Sequence, residues 1–553
     1  MGPSPAPAGE RPRGLRALLP GLAVSLAFLL VGLAVLDDYG MTWDENESYR
    51  AGLQNLRNLR ILATGGGGFE WPWHELLGYQ FLFDSARAAF ALAVGPFLPG
   101  PLGGPVLTGP ELAPVPIAAF HLFHLLLSAA TLFLTYSVAL ELSGRVRIGV
   151  LSALVLATTP KLVAHAQNNP KDVIGLFVFA LSLWAVARAT RAAREGGGRA
   201  PFAWAGAALG LAFASHVLSA MLVPIAAAWV LWRHPGPLRR RITDLAVLFV
   251  VAGAVAFLLW PWLWPDPVFR TARILRRIAT YRVPLEVLYL GRTYSWADPP
   301  WHYFLVNLLA ASPLVLTLTA LYGALQARAQ LTRFALLWFA IPVAVEAFAG
   351  ARYDGVRHLL VVLPAVALLA AVGLDRLLEL ARRRTPDAGR RTAARLALAL
   401  AAAAWAWVAA DLVRYHPYQD AYLNPAVRAA LGPTAPELFE LEYWGSSFKE
   451  GAEWLDEHAA PGSRVLVPIA PQCAAPYLDR DLVLVAPDPP TDRAEADYLM
   501  VMTRKAVHTP QILEVRERAE PVFTAERLGA TLMEVYRLDA PGGGSGPDGR
   551  GFR

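Results

Sequence analysis

The sequence predicts an all-α polytopic membrane domain of about eleven transmembrane helices, followed by a small C-terminal α/β soluble domain. Three observations predict it. The 553 residues are 55% hydrophobic and only 17% charged, where a soluble domain carries roughly a quarter charged residues. Apolar runs of bilayer-spanning length recur along the chain. After residue 413 these runs give way to short alternating stretches and one amphipathic helix.

The first run is Leu15–Leu36, flanked by Arg11, Arg13 and Arg16. It is too long for a signal-peptide core and lacks a small-residue cleavage site, so it reads as an uncleaved span behind a cytoplasmic tail, residues 1–14. Further cores fall at 115–142, 148–163, 172–188, 201–215, 217–232, 242–263, 301–323, 334–349, 358–374 and 395–413. Prolines 224, 313, 342 and 364 lie inside them, which membrane helices tolerate. Alternate loops hold Arg145/Arg147, Arg188–Arg199, Arg233–Arg241 and Arg376–Arg395. By the positive-inside rule these are cytoplasmic. The N-terminus is then inside, and 37–114, 164–171, 264–300, 350–357 and everything beyond 413 lie outside. This is a multi-pass topology for the plasma or inner membrane. The 264–300 loop breaks the rule with Arg270, Arg273, Arg276, Arg277, Arg282 and Arg292, and an anionic ligand is one reason for it.

In the first outer loop, 44–63 and 79–93 read as interfacial helices, with Trp71, Trp73 and Tyr79 as anchors. Gly65–Gly68 is a hinge between them, since no P-loop Lys-Ser/Thr follows. Beyond the membrane domain, 15–413, the extracytoplasmic domain runs from 414 to 540. It is expected to hold a helix over Phe448–His458 and strands over Arg464–Pro468, Leu482–Val485, Tyr498–Met502 and Leu532–Leu538. The Gly-rich tail 541–553 reads as disordered.

The net charge of +6 is nearly all arginine, confined to short loops, so no nucleic-acid footprint is read. Cys473 is the only cysteine, which excludes an intramolecular disulfide and a CxxC redox motif. Lysine occurs only at Lys161, Lys171, Lys449 and Lys505.

Three outer segments concentrate polar chemistry. Asp37-Asp38…Trp43-Asp44-Glu45-Asn46-Glu47 follows the first span. It is either a helix capped by Thr42 or Asp44, or the seat of a general base that takes the proton of an attacking hydroxyl. Trp43 shielding and the neighbouring Glu45 and Glu47 would raise the pKa of Asp44. Pro160-Lys161…His165-Ala-Gln-Asn168-Asn169-Pro170-Lys171-Asp172 packs amides, two lysines and an acid into a short turn. Asn168, Asn169 and Asp172 could simply cap the next span, but Lys171 also suits a phosphate oxygen. Asp172 could hold a sugar hydroxyl, bind a metal or orient Lys171. Arg352-Tyr353-Asp354-Gly355-Val356-Arg357-His358 offers a guanidinium fork for a phosphate, against the alternative of headgroup snorkelling. Glu346, inside a span, calls for a partner, for which an Arg is the natural choice. His121 and His124, three apart, read as hydrogen-bonded intramembrane histidines rather than a metal pair. Trp260–Trp264 reads as an aromatic belt.

These segments resemble the protein O-mannosyltransferase-like membrane glycosyltransferases, family 39 of the GT-C superfamily, which includes the aminoarabinose transferases. The resemblance rests on Trp43-Asp44-Glu45, "HAQNNPKD", "RYDGVRH" and "YHPYQDAYLNP…FELEYWGSSFKEGAEWL", and extends over about 15–460. It implies a GT-C-like membrane fold and an inverting transfer of a sugar from a polyprenyl-phosphate donor to an undefined protein, lipid or glycan acceptor. Asp44 matches the catalytic carboxylate, Glu45 its acidic neighbour, and Asp172 or Asp354 a second acid. Lys171, Arg352, Arg357 and His358 would hold the carrier phosphate, and Tyr353, Asp354 and Asn169 would bind substrate. No cofactor is required, and a divalent cation is neither required nor excluded. A phosphate leaving group needs cationic stabilisation more than general acid. Because the catalytic-looking residues all precede 360, residues 414–553 are expected to gate or select the acceptor. The competing reading is a polytopic transporter or flippase for a lipid-linked or anionic substrate, weakened by the lack of an internal repeat.

Overall fold

Alternation between apolar runs and polar turns places the helices. The computed structural model describes residues 14–66, 68, 80–98, 102–103, 115–280, 284–348, 351–382, 388–486 and 496–538. The expected anchors Trp71, Trp73 and Tyr79, and the tail 541–553, lie outside the described residues.

Helix α1 (Leu19–Ala34) leads into α2 (Trp43–Thr64) and α3 (Phe81–Val94), which pack on one another in the first loop. A two-residue ladder, β1 (Leu102–Gly103) with β2 (Val115–Pro116), precedes α4 (Ile117–Ser143). The bundle continues through α5 (Val146–Ala157), α6 (Pro160–Asn168), α7 (Asp172–Arg194), α8 (Ala200–Phe213), α9 (Leu222–Arg233) and α10 (Leu238–Leu259). Next come α11 (Pro267–Thr280), the hairpin β3 (Val287–Tyr289) with β4 (Arg292–Tyr294), α12 (Tyr303–Ala310), α13 (Leu314–Ala324), α14 (Gln330–Phe348), α15 (Leu363–Arg382) and α16 (Ala388–Tyr415).

Among the described residues, six helices are long and apolar enough to cross a membrane, and eight segments are if each of two bent pairs, α5–α6 and α12–α13, is one span. The shorter apolar helices are Leu19–Ala34, Ala200–Phe213 and Val217–Arg233. Together these segments coincide with the apolar runs of the sequence. The chain is a multi-pass membrane protein. The α5–α6 bend of 67° falls at Pro160, whose missing N–H and ring cannot continue a helix. As a result the segment expected as a short turn is itself largely the helix α6. The span Arg357–Arg382, which contains α15, is central, with 89% of its apolar window buried, whereas the span Gly389–Tyr415 of α16 shows only 17%, so α16 lies at the edge of the bundle. The helices α13 and α15 touch through glycine. A Cβ on Gly323 would lie 1.8 Å from the Leu369 carbonyl oxygen, and one on Gly373 2.2 Å from that of Thr319, a small-residue contact typical of membrane helices.

Past α16, the short helices α17 (Pro425–Leu431) and α18 (Ala435–Leu438) lead to α19 (Phe448–His458). A five-stranded sheet follows, built from β5 (Arg464–Leu466), β6 (Val483–Val485), β7 (Tyr498–Met502), β8 (Phe523–Arg527) and β9 (Ala530–Arg537), with α20 (Pro471–Ala474) and α21 (Pro510–Arg518) between strands. Its order is β6-β5-β7-β9-β8. The strands β6, β5 and β7 run parallel, and β9 and β8 antiparallel. Tyr498–Met502 is a continuous apolar run, and Leu499, Met500, Val501 and Met502 are all buried, on both faces of the sheet, in one core with Phe448 and Leu455 of α19. Four of the five strands begin and end within a residue or two of the expected stretches, because strand signals are local; the edge strand β8, Phe523–Arg527, was not expected, and its half-polar sequence is only partly buried.

The C-terminal domain is seated on the membrane domain. The Trp43 N–H donates to the Trp444 carbonyl at 2.9 Å, and the Met41 N–H donates to the Tyr477 hydroxyl at 2.9 Å. A Cβ on Gly40 would lie 2.1 Å from the Ser446 carbonyl oxygen, so only glycine permits this approach.

Candidate active site

Three chain segments meet where the first loop, the α6–α7 break and the start of α15 converge. Asp44 is the second residue of α2, near a helix N-terminus that favours a carboxylate. The Thr42 hydroxyl does not cap α2. It donates instead to the Asn168 carbonyl at 2.8 Å, tying the first loop to the second. In the break, the Asn169 amide oxygen accepts the N–H groups of Lys171 and Asp172 at 3.1 and 2.9 Å, an Asx turn. This turn aims Lys171 at Asp44, with Nζ to Oδ1 at 2.9 Å.

Arg357 is the hub. Its Nη2 lies 3.5 Å from Asp44 Oδ2, its Nε 3.0 Å from Asp172 Oδ2, and its Nη1 donates to Asp354 Oδ2 at 2.7 Å. The Trp444 ring lies under its guanidinium, 4.6 Å from the centroid, a cation–π contact. Asp172 also accepts from the Asn169 amide at 3.0 Å and meets His216 Nε2 at 3.4 Å. His216 Nδ1 accepts the Leu218 N–H, so the Nε2 proton faces Asp172. On the far side of Asp354, Arg504 Nη2 donates to Oδ1 at 2.8 Å. Behind the turn, Asp420 pairs with Lys161 at 2.7 Å and with His165 at 3.3 Å, and His165 Nδ1 meets the Asn169 amide at 2.9 Å.

Electrostatics corrects the sequence reading of Asp44. Burial alone would raise its carboxyl, but Lys171 and then Arg357 outweigh it and hold it below its ordinary value. Trp43 and the adjacent acids do not decide, because the two cations are closer. Asp44 Oδ2 nevertheless makes no hydrogen bond, leaving a lone pair open to a donor. Asp420 is likewise held low: burial opposes, and Lys161 and His165 prevail. Glu440 is pushed up to about 7 by burial, with Arg504 opposing.

The predicted residues divide. Asp44, Lys171, Asp172, Asn169, Asp354 and Arg357 are brought together. Glu45 turns away: it is fully buried, with Oε1 3.0 Å from His121 Nε2. Arg352 spends its guanidinium on Asp298 and on the carbonyls of Pro299 and Ala347, while its charge also reaches Glu346. Tyr353 meets His358 edge-on, centroids 4.5 Å apart, and its ring lies 5.8 Å from the Arg357 guanidinium. His124 lies 3.3 Å from Arg87. Among the described residues no group of three or more His, Cys, Asp or Glu is arranged to hold a metal ion. Of the odd arginines, Arg270 is bound to the Trp262 carbonyl at 2.5 Å and lies over its ring.

His216, Trp444 and Arg504 were not singled out from the sequence. A histidine between two apolar runs is a visible signal. Nothing local marks Arg504, which comes from the C-terminal domain and shows that this domain enters the site.

Residues 110–260 match the family model described as dolichyl-phosphate-mannose-protein mannosyltransferase. That stretch holds Lys171, Asp172 and His216, and there the resemblance drawn from the motifs is borne out. No curated protein is significantly similar in sequence. Among solved structures, ArnT from Cupriavidus metallidurans bound to undecaprenyl phosphate is 15% identical, covering 95% of this chain and 98% of that one, with TM-score 0.46. The S. cerevisiae Pmt1-Pmt2 protein O-mannosyltransferase bound to its sugar donor is 16% identical over 51% of this chain and 40% of that one, TM-score 0.36. The Archaeoglobus fulgidus oligosaccharyltransferase tethered to an acceptor peptide is 12% identical over 88% and 69%, TM-score 0.45.

Proposed function

We propose that the chain is a membrane glycosyltransferase that moves a sugar from a polyprenyl-phosphate carrier to an acceptor at the outer face of the membrane. The observation that carries this reading is the Asp44 carboxylate held between Lys171 and Arg357. In the resting site, the cations Lys171, Arg357 and Arg504 are matched by Asp44, Asp172 and Asp354. A donor phosphate therefore binds by exchange, taking over Lys171 and Arg357 from Asp44. The exchange does two things. It neutralises the leaving group, and it strips Asp44 of its counter-ions, so its basicity rises only when donor is present. The acceptor O–H or N–H then donates to Asp44 while its lone pair attacks the anomeric carbon. The C1–O(phosphate) bond breaks, its electron pair stays on the phosphate oxygen, and the proton goes to Asp44. A single displacement inverts the anomeric centre.

Asp44→Asn keeps shape and loses the proton acceptor. Transfer should fall by about 10²–10⁴-fold, the usual contribution of a general base, with donor binding retained. The measurement is formation of a glycosidic bond in vesicles supplied with lipid-linked sugar. Movement of the lipid without bond formation would instead establish the transport reading, and wild-type transfer by Asp44→Asn would place the base elsewhere.

A further inference from the structure

We propose that the C-terminal domain completes the phosphate-binding site through Arg504, a positioning residue that holds Asp354 and, through it, the guanidinium of Arg357. The proposal rests on the reading of Arg357 as a phosphate-binding residue.

Asp354 sits in the left-handed region at φ 53°, followed by Gly355 at φ 60°. Aspartate adopts this region more readily than most residues, and here its carboxylate is fixed on both oxygens. Arg357, three residues on, takes Oδ2 at 2.7 Å, and Arg504 takes Oδ1 at 2.8 Å. The Gly355 N–H is fixed in addition by the Tyr303 hydroxyl at 2.8 Å. With Nη1 of Arg357 committed to Asp354, its Nη2 and Nε edge is the one turned to Asp44 and Asp172.

Arg504 is itself fixed. It is buried, at 4% exposure, and follows β7, whose next residue Thr503 donates its hydroxyl to the Thr531 and Leu532 carbonyls at 2.8 and 3.1 Å. Glu440 lies 3.7 Å from its Nε, and the Tyr443 carbonyl accepts from Nη1 at 3.4 Å. Glu440 in turn accepts the Leu288 N–H of β3 at 3.3 Å. Arg504 thus links the sheet, through Glu440 the strand β3, and through Asp354 the segment before α15, around the hub.

The test uses the full chain in detergent with a polyprenyl phosphate as probe, reading its Kd beside the melting midpoint. Groups linked in one buried network are coupled, not additive. Arg504→Gln should weaken binding about tenfold. Arg504→Lys, which restores the charge, should recover most of the affinity. Asp354→Asn should weaken binding equally, and Arg504→Gln with Asp354→Asn should be no worse than either alone. Arg516→Gln, which breaks the Arg516–Glu534 pair elsewhere in the domain, should leave Kd unchanged. Wild-type affinity in Arg504→Gln, or a lowered midpoint with unchanged Kd, overturns the proposal and makes Arg504 a structural latch. If Arg504→Gln does not fold, Arg504→Met, which also removes the charge, combined with Asp354→Asn decides: effects that multiply overturn the proposal, and effects that do not multiply support it. Arg357→Gln separates the two readings. Unchanged binding there removes the phosphate site itself, while loss there with none in Arg504→Gln removes only the role of Arg504.

Discussion

Lys171→Met removes one of the two cations on Asp44 while keeping the length and apolar stem of the side chain. The gross attraction at 2.9 Å is about 6 kcal/mol at an effective dielectric near 20. Lys171 and Asp44 are 17% and 15% exposed, so water reduces this. A charge-assisted contact is worth about 1.5–3 kcal/mol net. If Lys171 makes that contact to the donor phosphate, its loss should raise the donor KM by about 10–150-fold. Asp44, left without its nearest cation, would add repulsion. A second readout follows from the lowered carboxyl. In the wild type the acid limb of kcat/KM, which reports the free enzyme, should lie below the ordinary carboxylate range, because burial raises the Asp44 carboxyl less than Lys171 and Arg357 together lower it. In Lys171→Met that limb should move up toward the ordinary range. The stability sign is the same: the Asp44 contribution is present above its unfolded pKa and lost as pH falls through the folded one, so the variant should lose it at higher pH. Lys171→Arg should retain most activity. The assay is initial-rate transfer against donor concentration from pH 3.5 to 8, using about half-unit steps. An unchanged donor KM together with an unmoved acid limb would refute the reasoning.

Arg352→Ala should leave donor Kd within about twofold, because its guanidinium serves Asp298 and two carbonyls; a loss of tenfold or more would return it to the phosphate site. Trp444→Leu should weaken donor binding by about three- to thirtyfold, since it removes the ring under Arg357, and isothermal titration with a polyprenyl phosphate measures it. His216→Ala should lower kcat more than it raises donor KM, because it frees Asp172, which His216 meets at 3.4 Å; wild-type kcat would make the contact incidental. Reporter fusions at 190 and 238 should read cytoplasmic and one at 500 outside, as the arginine asymmetry requires; a cytoplasmic signal at 500 would mean a span miscounted.

The sequence by itself determined what depends on neighbours in the chain. Apolar runs fixed the helices of the membrane domain, since burial in lipid needs only length and hydrophobicity. A short continuous apolar run marked Tyr498–Met502 as a strand, and Phe448–His458 was legible as a helix to the residue. The motifs marked Asp44, Asn169, Lys171, Asp172, Asp354 and Arg357, because clustered polar groups at a membrane boundary are costly without a task. Only the tertiary structure decided which of them meet. Lys171 and Asp44 are 127 residues apart in the chain, and Arg504 and Asp354 are 150 apart; no local pattern encodes such pairings. Nor could the chain alone show that Glu45 faces His121 rather than the hub, or that Arg352 turns to Asp298. Neighbouring residues on a helix point in different directions, and only packing says which direction is the site. The lowered carboxyl of Asp44 has the same origin. Its sequence neighbours are acids that would raise it, but its spatial neighbours are cations, and charge acts through distance rather than chain order.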